Sequence, residues 1–172
     1  DGRRLSAIFP RLKRAGARNV QVRHPQEGPP LDDLIGAMDI VFIDAPCTGT
    51  GTWRRKPDAK WRVSEGALAK RNEEQAAVLE NGAHFVKPGG RMIYVTCSFL
   101  KEEDEDQVDA FLASHPDFKR EDAAAAVIGS GGLTEEGVRV ISTCRTQAGD
   151  VRMTPLRADT DGFYFSVLSK VK

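Results

Sequence analysis

Two short, almost uninterrupted apolar runs dominate the hydrophobic pattern of the chain: DIVFI at residues 39–43 and RMIYVT at residues 91–96. Runs of this length that are rich in β-branched residues are typical of parallel strands buried on both faces of a sheet. Between them, apolar residues recur at helical spacing over residues 68–86, with Ser64 as a candidate N-cap and KPGG at residues 87–90 as the turn that ends the helix. The pattern therefore predicts a strand, a long helix and a second strand.

Weaker patterns flank this central unit. Residues 3–15 carry apolar side chains at helical spacing, with Gly16 as a stop, and NVQVR at residues 19–23 is predicted to be a short strand. The acidic run KEEDEDQ at residues 101–107 predicts the start of another helix, because acids are favoured at the positive end of the helix dipole. Residues 119–137, with AAAA and GSGG, are predicted to form an insertion or a mobile loop.

The end of the chain carries three further strand patterns, at residues 138–143, 151–155 and 162–170, and residues 24–33 are rich in turn formers. Strands that alternate with helices and end in an antiparallel tail are typical of a three-layer α/β fold with a mostly parallel sheet and an antiparallel C-terminal edge. With 172 residues, the chain is expected to form a single domain.

Composition narrows the class of protein only slightly. The 25 Lys and Arg residues balance the 25 Asp and Glu residues, so overall charge does not indicate a nucleic acid or a membrane as the partner. No apolar run approaches the roughly 18 residues that a membrane span needs, and no signal-peptide pattern opens the sequence. The three cysteines form no CxxC pair and the three histidines show no ligand spacing, which argues against a metal site. We therefore expect a cytoplasmic protein with no membrane partner and no metal.

Two of the cysteines follow the two strong strands directly. Cys47 comes after the first apolar run and Cys97 after the second. Ligands of an open parallel sheet bind outside the carboxyl ends of its strands, so both thiols are expected to face one crevice. A free cysteine is often only a small buried hydrophobe, and this remains the interpretation for Cys144. A redox disulfide between the first two is a weaker alternative, because redox partners are usually close in sequence.

The loop after Cys47 combines cations with aromatic rings. Five cations lie within nine residues, interleaved with Trp53 and Trp61; they are Arg54, Arg55, Lys56, Lys60 and Arg62. Cations beside aromatic planes suit phosphate backbones and unstacked bases. A solvated loop whose tryptophans fold onto the core explains the same composition equally well. The position beside the thiols favours the binding interpretation.

Three segments resemble motifs of one enzyme family. DAPCTGTGTWRRKPDAKW at residues 44–61 and KPGGRMIYVTCS at residues 87–98 resemble the fourth and sixth motifs of the RNA (cytosine-5)-methyltransferases. The closest likeness is to the bacterial RsmB/Sun group, which modifies small-subunit ribosomal RNA. MTPLRADTDGFYFSVLSK at residues 153–170 resembles the closing motif of that family. The resemblance implies a Rossmann-like class I methyltransferase fold, S-adenosylmethionine as the cofactor, and RNA, expected to be 16S rRNA, as the partner.

The resemblance also implies a role for each thiol. Cytosine C5 is a poor nucleophile, so a thiolate adds to C6 and makes C5 reactive enough to accept a methyl group. By the match to TCS, Cys97 is that nucleophile, and Cys47 of the PC dipeptide assists the release that follows. Asp44 is expected to hydrogen-bond cytosine N3 or N4, or to help close the cofactor pocket, while Pro46 keeps the backbone close to the base and the cofactor.

The basic loop then becomes the expected RNA contact. Arg54, Arg55 and Lys60 are assigned to RNA phosphates by this resemblance. The family's glycine-rich cofactor loop and its ribose-binding acid precede the matched region, so the chain is expected to be an N-terminally incomplete catalytic domain that lacks the first strands. In addition, VRHPQEG at residues 22–28 lacks the aspartate of many relatives, and Glu27 or Asp32 is the candidate substitute. A catalytically inactive RNA-binding module of the same fold is the alternative function.

Overall fold

The computed structural model describes residues 5–23 and 31–172, and the chain divides into two compact units, residues 1–34 and residues 35–172. Most of the predicted turn-rich segment, including Glu27, lies outside the described residues. Across the described part of the chain, no helix combines the length and the apolar character that a membrane crossing demands.

The smaller unit contains the predicted first helix. Helix α1 (Ile8–Ala15) ends at Gly16, which adopts the left-handed conformation with φ 63° that favours glycine at a helix terminus. Pro10 is tolerated because it lies in the first turn, where a backbone N–H has no partner within the helix. A short 3-10 turn (Leu31–Leu34) contains Asp32. The predicted helix and its stop signal are confirmed.

The larger unit contains one sheet and most of the helices. Its strands are β1 (Met38–Asp44), β2 (Val86–Thr96), β3 (Phe118–Glu121), β4 (Val151–Met153) and β5 (Phe163–Lys170). Its helices are α2 (Glu65–Phe85), α3 (Glu105–Ser114), α4 (Ala123–Gly129), α5 (Glu135–Cys144) and α6 (Pro155–Ala158). Three 3-10 turns complete it, at Thr50–Thr52, Pro57–Arg62 and Lys101–Glu103.

The sheet has the order β1-β2-β5-β3, and β4 also pairs with β5. Strands β1 and β2 are parallel neighbours, whereas β5 is antiparallel to β2, β3 and β4. Four strands therefore run in one direction and the last strand runs against them. The predicted α/β class, with a mostly parallel sheet and an antiparallel C-terminal part, is confirmed.

The long helix α2 connects the two parallel strands. It begins after Ser64, whose hydroxyl oxygen accepts a hydrogen bond from the Ala67 N–H at 3.2 Å, as the sequence predicts for an N-cap. Its buried side chains Leu79 and Ala83 pack with Met92 of β2 in the main core. This helix is the crossover that makes β1 and β2 neighbours, so their carboxyl ends open on the same edge of the sheet.

A second apolar cluster lies in the segment that follows β3. It contains Ala124, Ile141, Cys144 and Val151. Cys144 is fully buried here, in agreement with its interpretation as a structural residue. The cluster joins α4 and α5 to strand β4.

Two predictions about these later residues were wrong. Residues 119–137 form most of β3, helix α4 and the start of α5, not an insertion or a mobile loop. Residues 138–143, predicted as a strand, belong to α5. Their apolar positions share one helical face, and Thr134 caps that helix by accepting from the Gly137 N–H at 3.1 Å.

Two predictions nearer the start also fail. NVQVR at residues 19–23 forms no strand, and Val20 is 47% exposed, so no burial supports its alternating pattern. KPGG at residues 87–90 does not form a separate turn, because β2 begins directly at Val86. In the pairing with β1, Met38 opposes Val86 but Ile40 opposes Arg91, so β2 has more residues than β1 over this stretch. A register shift accommodates these additional residues of β2.

Candidate active site

The two thiols that follow β1 and β2 are in direct contact. The Sγ atoms of Cys47 and Cys97 lie 3.3 Å apart, within hydrogen-bond distance for sulfur. Backbone bonds hold the two chain segments side by side: the Ala45 N–H donates to the Val95 carbonyl at 2.9 Å and the Gly51 N–H to the Cys97 carbonyl at 3.0 Å. The predicted meeting of both thiols at one edge of the sheet is confirmed.

The contact makes the two thiols chemically different. The hydrogen bond from Cys47 lowers the pKa of Cys97 to about 7, although burial and the nearby carboxylates of Asp44 and Glu103 oppose this shift. The same contact, together with burial, raises the pKa of Cys47 far above its usual range. The contact therefore favours the thiolate form of Cys97, with Cys47 as its protonated hydrogen-bond donor.

The loop between the thiols and the basic segment is closely packed against the last strand. Gly51 has no side chain, and a Cβ added there would lie 2.3 Å from the carbonyl oxygen of Gly162. The Gly162 N–H donates to the Gly51 carbonyl at 2.8 Å. Gly49 has φ 72°, the left-handed conformation that favours glycine, and its carbonyl accepts from the Thr52 hydroxyl at 2.8 Å. These contacts fix the loop shape that brings Cys47 to Cys97.

A buried carboxylate lies beneath this loop. Glu103 is fully buried, and its carboxylate accepts hydrogen bonds from the Thr48 N–H at 2.7 Å and the Thr48 hydroxyl at 2.5 Å. The Gln75 side chain of α2 donates to the same carboxylate at 3.1 Å and to the Pro46 carbonyl at 2.9 Å. Sequence reasoning assigned Glu103 no role at the site, because the acids of residues 101–107 were predicted only as the start of a helix.

Further buried hydrogen bonds surround Cys97. The hydroxyls of Thr50 and Ser98 are 2.9 Å apart, and the Thr96 hydroxyl donates to the Asp104 carboxylate at 2.7 Å. Burial raises the pKa of Asp104 to about 8, although the bond from Thr96 and the charge of Arg152 act in the opposite direction. The residues on both sides of Cys97 are therefore held by polar groups that are removed from solvent.

Asp44 and Pro46 lie at the end of β1 as predicted. The Asp44 side chain is exposed, and within residues 5–23 and 31–172 no group donates a hydrogen bond to it. An exposed carboxylate beside the thiols is free to accept a hydrogen bond from a base or from a cofactor. Pro46 is partly buried and is held from below through its carbonyl. The exposed Asp44 carboxylate and the fixed backbone at Pro46 therefore fit a base or a cofactor at this edge of the sheet.

The basic loop is partly neutralised by acids of the turn before β5. The Arg54 guanidinium lies 3.3 Å from the Asp159 carboxylate, and the Arg55 guanidinium forms an ion pair with Asp161. Both arginine side chains are more than half exposed. Lys60 has a different partner, since its ammonium lies 4.7 Å from the centre of the Trp61 ring.

The two tryptophans of this loop have different environments. Trp53 packs edge-on against Phe99, with ring centres 5.6 Å apart. Trp61 is 79% exposed. Trp53 therefore folds onto the protein, whereas Trp61 presents its ring to solvent.

The sheet order, the crossover helix and the thiols at the strand ends define a Rossmann-like fold of the methyltransferase type. The crystal structure of PH0851 matches 99% of this chain and 35% of that one, with 32% identity and a TM-score of 0.79. NSun6 from Pyrococcus horikoshii, solved with SFG, matches with 23% identity and a TM-score of 0.71, over the whole chain and 40% of NSun6. The latter likeness concerns the fold alone.

A family model described as 16S rRNA methyltransferase RsmB/F matches residues 1–169. The chain belongs to this family. Ribosomal RNA small subunit methyltransferase B of Klebsiella pneumoniae is 39% identical over 119 residues, which is 68% of this chain and 27% of that protein. The corresponding protein of Salmonella newport is 38% identical over 117 residues. The chain thus spans about a quarter of the length of the curated relatives it matches.

Proposed function

We propose that the protein transfers a methyl group from S-adenosylmethionine to C5 of a cytosine in RNA, through a covalent bond between Cys97 and C6 of the base. The observation that carries this proposal is the contact between the two thiols, 3.3 Å apart, with the pKa of Cys97 lowered to about 7. A nucleophile whose pKa is lowered towards neutral, beside a protonated second thiol, suits a reaction in two covalent steps.

Cys97 begins the reaction. Its thiolate adds to C6, and the electron pair of the C5–C6 double bond becomes available at C5, which forms the new bond to the methyl group. When bound, S-adenosylmethionine would supply that methyl group as an electrophile, and its sulfur would keep the electron pair of the broken S–CH3 bond. Asp44, exposed at the end of β1, is the residue proposed to accept a hydrogen bond from the N4 amino group of the cytosine, or to share a proton with N3, which stabilises the negative charge that develops as C6 is attacked.

Cys47 completes the reaction. Before attack, the Cys47 thiol keeps its proton and donates a hydrogen bond to the Cys97 thiolate. Once Cys97 is bonded to C6, that acceptor is gone, and the main cause of the raised pKa of Cys47 disappears with it. Cys47 is then proposed to release its own proton to solvent and, as a thiolate, to accept the C5 proton. The electron pair of the C5–H bond re-forms the double bond and expels the Cys97 thiolate.

RNA is the proposed substrate, in particular small-subunit rRNA. Support comes from the family description and from the names of the curated relatives. The exposed ring of Trp61, with Lys60 beside it, offers a stacking surface for an unpaired base. Arg54 and Arg55 are proposed to contact RNA phosphates, which would replace Asp159 and Asp161 as partners of the two arginines.

Asp44 and Pro46 are proposed to border the cofactor. SFG in NSun6, an analogue of S-adenosylmethionine, supports that cofactor class.

The test uses RNA that contains 5-fluorocytosine. Fluorine at C5 blocks the release step, so the full-length protein with S-adenosylmethionine should form an adduct at Cys97 that mass spectrometry detects. Cys97→Ala should form none, whereas Cys144→Ala, which changes a buried cysteine of the second apolar cluster, should form it as the unchanged protein does. If the protein binds both RNA and cofactor but forms no adduct, the mechanism is wrong and the RNA-binding module becomes the better hypothesis.

Thiol redox chemistry is a second candidate, because the two sulfur atoms are already in contact. It predicts a reversible Cys47–Cys97 disulfide under mild oxidants, measured by mass spectrometry after the remaining thiols are alkylated. Failure to trap this bond would exclude it.

A further inference from the structure

The carboxylate of Glu103 is fully buried against the thiol loop, which comprises residues 45–51. The residue has no solvent-exposed surface, so it reaches neither a base nor a cofactor at the edge of the sheet. A buried carboxylate is costly unless hydrogen bonds replace its lost hydration. The three donors of this carboxylate are two groups of Thr48 and the side chain of Gln75.

These donors lie on either side of Cys47. Thr48, which supplies two of them, directly follows Cys47. Gln75 also donates to the carbonyl of Pro46, which directly precedes Cys47. Both neighbours of the thiol are therefore held from below by one buried group of side chains, which comes from α2 and from the turn after β2.

We propose that Glu103 is a positioning residue, which holds the backbone around Cys47 so that its thiol stays in contact with Cys97. This proposal rests on the proposed function in one respect: methyl transfer is the reason why the two thiols need to stay in contact. Glu103 acts through Thr48 and touches no substrate.

The charge of Glu103 and its positioning effect act on Cys97 in opposite directions. Its negative charge raises the pKa of Cys97, whereas the Cys47 contact that it holds in place lowers that pKa. Glu103→Gln removes the charge, yet its amide oxygen can still accept from the Thr48 N–H and its NH₂ group can donate to the Thr48 hydroxyl. Glu103→Ala removes the charge and the hydrogen bonds together.

The test is the pH dependence of the alkylation rate at Cys97 in the full-length protein, measured with iodoacetamide and mass spectrometry. We expect Glu103→Ala to raise the midpoint by about one pH unit or more, which lowers the rate at pH 7 by about fivefold or more, since alkylation follows the thiolate fraction. Glu103→Gln should keep the midpoint at or below that of the unchanged protein. Glu102→Ala, which removes the exposed neighbouring acid, serves as the matched control and should leave the midpoint unchanged.

A midpoint that falls or stays unchanged in folded Glu103→Ala would overturn the proposal, because removal of the charge alone predicts that result. If Glu103→Ala does not fold, Thr48→Val and Thr48→Ser decide the question. Valine keeps the size of Thr48 but removes its hydroxyl donor, so the midpoint should rise, and serine, which keeps the hydroxyl, should restore it. Equal midpoints in these two variants would also overturn the proposal. The titration needs neither RNA nor cofactor, so its outcome is independent of whether methyl transfer occurs.

Discussion

The thiol loop, residues 45–51, and the basic loop, residues 53–62, are adjacent in sequence but are held in different ways. The thiol loop is fixed by buried groups, among them the Glu103 carboxylate and the backbone of Gly162. The basic loop is joined to the turn before β5 by exposed ion pairs such as that of Arg54 with Asp159. Buried hydrogen bonds hold the positions of the atoms they join closely, whereas exposed ion pairs contribute little to stability and exchange partners easily. The first arrangement suits bond formation, and the second suits contact with a flexible polymer.

The largest expected effect comes from filling the contact beneath the thiol loop. In Gly51→Ala, the new methyl group meets the backbone of Gly162 at 2.3 Å, and neither backbone can move without breaking their hydrogen bond. We expect a loss of about 3 kcal/mol in the free energy of unfolding, measured by denaturant titration. Gly66→Ala is the matched control: no atom lies within 4 Å of its added Cβ, and it should not destabilise. Equal stability in the two variants would show that the loop is not fixed through this contact.

The exposed loop should respond in RNA binding and not in stability. Trp61→Ala is expected to weaken RNA binding by about 2 kcal/mol through the loss of one base-stacking surface, with little change in unfolding. Trp53→Ala, which removes the ring packed against Phe99, should instead lower stability. Fluorescence anisotropy with labelled RNA and thermal unfolding separate the two effects. The reverse pattern would contradict the distinction between the two rings.

Asp104 should make stability depend on pH. Its folded pKa of about 8 lies above the roughly 3.9 of an unfolded Asp, so the folded state holds a proton that the unfolded state has released between those values. Its contribution to stability is therefore complete at low pH and falls by up to about 1.4 kcal/mol per pH unit from about pH 4 to pH 8. Asp104→Asn should remove this part of the slope in denaturant titrations at several pH values. An unchanged slope would contradict the assigned burial effect.

The smallest stability effect is expected at the exposed ion pairs. Reversing the charge of Arg54 and Arg55 together should change the free energy of unfolding by less than about 1 kcal/mol per pair. The same change should weaken RNA binding and reduce its dependence on salt. Anisotropy titrations at two salt concentrations provide the measurement. If RNA affinity is unaffected, the arginines serve only their acid partners.

The meeting of the thiols could be predicted from sequence because it depends on few facts. Two apolar runs with a helical pattern between them define parallel neighbours, and the residues that follow such strands share one edge. Glu103 could not be found in this way. Its acidic surroundings are typical of a solvated helix start, and its burial depends on Thr48, which is 55 residues away.

The wrong strand at residues 138–143 has a local cause. The alternation in VRVIST fits a strand, but Val138 and Ile141 also lie at helical spacing. The decisive signal was Thr134 followed by two glutamates, a helix N-terminus that the pattern of apolar residues does not include. Capping residues decide such ambiguous segments better than short apolar runs do.

The contact between Gly51 and Gly162 also has a consequence for the order of folding. The ribosome makes residue 162 long after the thiols, so this contact can form only after the chain up to the start of β5 has been synthesised. A growing chain therefore carries Cys47 and Cys97 without the backbone support that this contact gives their loop. The reactive thiol pair takes its described geometry only when synthesis of the sheet is almost complete.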